Sequence, residues 1–235
     1  MAPKTKRRMA FLGGFSLYFG LLWILWDTAI IYPVKIFVVL LHEVSHGLAA
    51  LATGGTVERI VLNAQQGGAA YTRGGMGFFI LSAGYLGSLL WGVLFIMLGF
   101  SRWLKPRWVI GAIGVSMLLL PFTLGMGGFG IAFVVAFGAA LLLSAKYLSQ
   151  SWNRVLLLGL GLTSCLYAIL DIKSDVLARP ELRSDAVMLA EMTGIPAIVW
   201  GFLWIAIALL VSAWLLRGVA RRMDQEETNG AEAPA

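Results

Sequence analysis

Residues 34–53 read VKIFVVLLHEVSHGLAALAT. The stretch matches the ~20 mostly apolar residues that a helix needs to cross a bilayer core. Yet it carries His42, Glu43 and His46 in its middle. Ionisable groups at membrane depth are costly, so they turn inward and mark functional sites by default. This one segment sets two expectations. The chain lies in a membrane, and its chemistry lies inside a span.

The remaining sequence agrees with the first expectation. Of 235 residues, 59% are hydrophobic and 13% charged, against about 25% charged in soluble domains. Mean hydropathy is +0.84. This composition excludes a water-soluble globule, a disordered chain and a disulfide scaffold. The single Cys165 excludes an internal disulfide. The net charge of +6 sits mostly in loops and termini, which reads as topology and anionic-lipid contact, not nucleic acid.

Apolar runs lie at residues 10–32, 34–53, 77–100, 109–124, 131–147, 155–172 and 195–216. The expected fold is an all-α polytopic membrane protein with about six to seven transmembrane helices. A basic cytosolic tail occupies residues 1–9, one membrane domain residues 10–216, and a polar, disordered tail residues 217–235. The run at 10–32 exceeds the ~7–15 residues of a signal-peptide core and lacks a cleavage site, so it reads as an uncleaved span. Lys and Arg counts on the two sides tie. The cluster Lys4, Lys6, Arg7 and Arg8 places the N-terminus inside.

After the second run the texture changes. Residues 56–62 (TVERIVL) are β-rich, and residues 69–73 can pair with them through a turn at 63–68, giving a small β-hairpin-like insertion. Gly84, Ser88 and Gly92 form a small-residue stripe on the third run, which suits close helix packing more than chemistry. No internal repeat is evident, which weakens an inverted-repeat transporter reading.

The chemical signal is His42-Glu43-Val44-Ser45-His46. Residues four apart share a helix face, so both imidazoles reach one ion. Imidazole nitrogen suits Zn²⁺, and Glu43 beside that face suits a general base. The chain has only two His, and two placed at random fall four apart in roughly 0.8% of chains of this length. A catalytic zinc usually has a third protein ligand. Asp171, at the end of the sixth run, leads the candidates because a carboxylate there can face inward. Asp175 lies one turn on. Asp185 and Glu191 lie in the charged loop at 173–194, where a solvated charge is the blander reading. Asp27 suits a partner behind the ligands, and Glu58 follows His46 too closely on a β-like segment.

An HExxH in an early transmembrane run, Gly54-Gly55 just after it, a short β segment and Leu170-Asp171 at the end of a later run resemble the site-2 protease family of intramembrane zinc metalloproteases. Residues 42–50, Thr53-Gly54-Gly55 and residues 82–88 are similar to the compact bacterial branch related to the sporulation-factor processing enzymes. The resemblance implies one Zn²⁺ per chain, His42 and His46 as ligands, Glu43 as general base and Asp171 as third ligand. Asp171 matches the Asp of the family's Leu-Asp-Gly, although Ile172 replaces its Gly and the usual upstream Asn-x-x-Pro is absent. The family's active site opens toward the cytosol, in keeping with the inside N-terminus.

The expected activity is hydrolysis of peptide bonds in membrane-embedded or membrane-proximal substrates within the lipid bilayer. Helical substrates hide their carbonyls in hydrogen bonds and must unwind. A free edge on the strand of Val57, Ile60 and Leu62 would hold the unwound chain by β-augmentation. Two rivals are an inactive zinc-binding scaffold and a proton or metal transporter using His42, Glu43 and Asp171 as a relay.

Overall fold

The computed structural model describes residues 3–26, 28–173, 176 and 183–231. Eight helices and three short strands alternate along these residues: α1 (Pro3–Leu25), α2 (Tyr32–Ala52), β1 (Thr56–Leu62), β2 (Gly68–Arg73), α3 (Gly77–Gly99), α4 (Pro106–Thr123), β3 (Gly125–Met126), α5 (Gly128–Tyr147), α6 (Gln150–Lys173), α7 (Asp185–Thr193) and α8 (Ala197–Ala231). Six helices, α2 to α6 and the Ala197–Leu215 part of α8, are long and apolar enough to cross a membrane. The architecture is the expected all-α polytopic one with a small sheet.

The chain forms two compact units, Pro33–Ala208 and a second made of Met1–Tyr32 with Leu209–Ala235. In the second unit, α1 starts inside the basic N-terminal segment and stops at Leu25, earlier than the expected run to Tyr32. The Thr28 hydroxyl donates to the Leu25 carbonyl at 2.6 Å and helps end the helix. At the other terminus α8 continues through the polar residues from Arg217 to Ala231. Asp27 lies outside the described residues.

In the larger unit, α2 is the interior helix. It is buried almost without interruption from Lys35 to Gly47, whereas α4 and α5 expose most of their length. In a bilayer that exposure is lipid contact. Glycines set how close the neighbouring helices come. A Cβ on Gly92 of α3 would sit 2.6 Å from the Gly161 carbonyl of α6, and one on Gly161 would sit 2.9 Å from the Gly92 carbonyl. Gly114 of α4 and Gly138 of α5 repeat this reciprocal arrangement at 2.9 and 3.0 Å. Both pairs let backbones touch, which supports association where lipid removes the hydrophobic drive between helices.

Gly54 ends α2 with φ +84°, a conformation that side chains disfavour. The chain then enters the hairpin. β1 and β2 pair antiparallel, from Thr56 opposite Arg73 to Leu62 opposite Gly68, with an irregularity between Val57 and Arg59. This is the expected hairpin. The sheet order, however, is β2-β1-β3, with β3 parallel to Arg59 and Ile60 of β1. β1 is therefore the central strand, and Ile60 and Leu62 are buried. The edge expected to be free along Val57, Ile60 and Leu62 is covered by β3 at Arg59 and Ile60. Among the described residues the outer strands are β2 and β3, because the Gly-rich segment before α5 closes onto β1.

Candidate metal centre

His42, Glu43 and His46 lie on α2 and are each less than 9% exposed. Helical spacing turns both imidazoles to one side, with ring centroids 4.8 Å apart. The room they occupy comes from α3. A Cβ on Gly84 would clash with His42 Nε2 and sit 2.6 Å from His46 Nε2. Gly84 is thus part of the site's shape. The sequence stripe suggested packing for all three small residues. Gly92 meets α6 in that way, while Gly84 instead clears the space in front of the imidazoles.

The carboxylate that reaches this space is Asp185. Its Oδ2 lies 3.0 Å from His42 Nε2 and 3.1 Å from His46 Nε2. These three residues form a group whose ligand atoms all lie within 4.8 Å of one another. Asp185 opens α7, where the Ser184 side chain accepts from the Val187 N–H and an acid in the first turn suits the helix dipole. α7 is anchored by Ala186 and Leu189, which are fully buried in a cluster with Tyr85, Ile172, Trp200 and Trp204. Burial acts to raise the Asp185 carboxyl's pKa. The His46 charge and hydrogen bonds to both imidazoles outweigh it and hold the group below the usual carboxylate range.

Asp171, the leading third-ligand candidate from sequence, occupies a different place. Its Oδ2 stands 3.8 Å from His42 Nδ1, on the other nitrogen of that ring. Asp175 lies outside the described residues. Glu191 pairs with Arg183 at 3.3 Å, and Glu58 with Arg73 at 2.9 Å, both on exposed surface. Only Asp185 joins the two His in the described metal-ligand group. Its signal in the sequence was local: Ser184-Asp185 followed by Ala186, Val187, Met188 and Leu189 reads as a capped helix start. That signal places a helix but does not say where its first residue will point.

Glu43 faces the hairpin. A Cβ on Gly68 of β2 would sit 2.6 Å from its Oε1, and the Ala70 backbone hydrogen-bonds to it. The general-base candidate therefore lies against β2, an outer strand of the sheet.

The donor set fits a cation. His46 Nδ1 lies 2.6 Å from the Ile80 carbonyl. A carbonyl only accepts, so Nδ1 carries the proton. A neutral His46 would turn the lone pair of Nε2 toward an Asp185 oxygen 3.1 Å away. Two acceptors at that distance require a proton or a metal ion between them. Two imidazole nitrogens and a carboxylate oxygen are a common catalytic zinc set.

Comparison with protein families supplies the relationship. The sequence matches the Peptidase M50B-like family over residues 15–215. The chain belongs to that family, among the site-2 proteases. No curated protein and no solved structure matches it. The match to the M50B-like family covers all five residues from His42 to His46 and both Asp171 and Asp185. With six helices among the described residues long and apolar enough to cross a membrane, this M50B-like chain is an integral membrane protein.

Proposed function

We propose that the protein is an intramembrane zinc endopeptidase in which His42, His46 and Asp185 hold the ion and Glu43 is the general base. The observation that carries this reading is the convergence of His42 Nε2 and His46 Nε2 on one Asp185 oxygen inside a span. Bound zinc supplies Lewis acidity, which lowers the pKa of water to about 7 and polarises a carbonyl. Glu43 takes the water's proton and delivers it to the leaving amine. Its contact with β2 ties the base to the strand most suited to hold substrate. An unwound substrate segment adds to the outer edge of β2 by main-chain hydrogen bonds. Its scissile carbonyl then lies between Glu43 and the ligand triad. The substrate is a membrane-embedded or membrane-proximal chain, and the N-terminus faces the cytosol.

The test compares purified wild type, Glu43→Gln and Asp185→Ala for metal content and for cleavage of a transmembrane peptide library. The expected outcome is about one zinc per chain in wild type and Glu43→Gln, little in Asp185→Ala, and cleavage in wild type alone. A removed general base lowers turnover by about 10²–10⁴-fold. Zinc-loaded wild type that cleaves no membrane peptide while retaining a bound partner would favour a scaffold. Proton- or metal-coupled flux lost in Glu43→Gln would favour a relay.

A further inference from the structure

The two imidazoles are supported unequally. Each turns Nε2 toward Asp185. The Nδ1 of His46 donates to the Ile80 carbonyl at 2.6 Å. The Nδ1 of His42 is buried and has no hydrogen-bond partner among the described residues. A buried unpaired ring nitrogen is costly, so its surroundings bear on how firmly the ring is held. Among the described residues, the carboxylate facing it is Asp171, whose Oδ2 is 3.8 Å away and whose side chain is 18% exposed. That separation is an ion-pair distance, longer than a hydrogen bond.

We propose that Asp171 is a positioning residue: it accepts the Nδ1 proton of His42 and thereby holds that imidazole with Nε2 directed at the metal position. The proposal rests on the zinc reading above and deepens it. Histidine ligands commonly donate their second ring N–H to a carboxylate or a backbone carbonyl, which fixes tautomer and orientation. His46 has the carbonyl form of this support, and Asp171 gives His42 the carboxylate form. The division also accounts for two acids at one site. Asp185 is carried on α7 to the Nε2 side of His42, whereas Asp171 comes from α6 to the Nδ1 side. The edge-on contact of Tyr85, its ring 5.1 Å from that of His42, helps hold the imidazole between them.

The chain has only two His, so ¹⁵N-histidine labelling reports two imidazoles, each with one Nδ1 and one Nε2 signal. The experiment records these signals in zinc-loaded detergent-solubilised protein and measures zinc affinity by chelator competition. Wild type, Asp171→Asn, Asp171→Glu and Asp185→Ala are compared. The expected result for Asp171→Asn is an unchanged one zinc per chain, affinity lower by about 10–100-fold, and a shifted or exchange-broadened Nδ1 proton on His42 alone. Asp171→Glu, which keeps the acceptor, recovers part of the affinity. Wild-type affinity and an unmoved His42 signal in Asp171→Asn would overturn the positioning role and leave the zinc site standing. Zinc abolished by Asp171→Asn but retained by Asp185→Ala would make Asp171 the ligand and overturn it differently. Wild type that binds no zinc would remove the underlying reading and this proposal together.

Discussion

Gly84 sets the room at the site by having no side chain. Any Cβ there meets both imidazole Nε2 atoms. Gly84→Ala is therefore expected to keep a folded helix, since Ala is the best helix former, while lowering zinc affinity by at least tenfold. Isothermal titration with zinc on wild type and variant checks this. Gly68 is the second such position, because its absent side chain leaves space for Glu43 Oε1. Gly68→Ala is expected to displace the base and lower turnover while leaving about one zinc per chain. Activity and metal content measured on one preparation separate the two effects. Loss of metal in Gly68→Ala would mean that the hairpin supports the ligands and not only the base.

At the scale of elements, the α3–α6 and α4–α5 contacts each rest on a pair of glycines whose carbonyls face one another's Cα. Overpacking a close contact costs about 1–3 kcal/mol. Gly161→Val, whose site also meets Ile96 at 2.9 Å, is expected to lower the thermal unfolding midpoint in detergent by several degrees. Scanning fluorimetry of the nine-tryptophan chain measures it. Phe122→Ala on α4 is a control, since that side chain is 87% exposed and faces lipid in a bilayer. The hairpin was legible from its β-rich residues and Gly-rich turn. The third strand was not, because Gly125 and Met126 form only two residues of parallel pairing. Two residues carry no periodicity to read.

Across the larger unit, α3 runs 23 residues from the hairpin end to the loop that holds Trp103. At ~1.5 Å per residue this is the thickness of a bilayer core. Gln65 and Trp103 are therefore expected on opposite membrane faces. Cys165 is buried, so a Cys165→Ala background with single cysteines at 65 or 103 reports sidedness cleanly. A membrane-impermeant maleimide should label one of the two, and not the other, from outside intact cells. Labelling of both from the same side would contradict the spanning of α3.

The membrane class, six of the seven expected apolar runs and the shared helix face of His42 and His46, with Glu43 beside it, were legible in the sequence. They were legible because hydropathy, helical spacing and an i, i+4 ligand pair are all local properties, written in neighbouring residues. The tertiary structure decided which distant acid meets the imidazoles. Asp171 and Asp185 are both acids beside apolar segments, 125 or more residues beyond His46 in the chain. Composition does not separate them. The choice follows from the packing of α7 through Ala186 and Leu189 onto Tyr85 and the tryptophans of α8, which brings Asp185 to the shared Nε2 side and leaves Asp171 at His42 Nδ1. Gly84 and the outer position of β2 became visible only there too, because an empty space and a strand edge belong to neighbours, not to the residue that provides them.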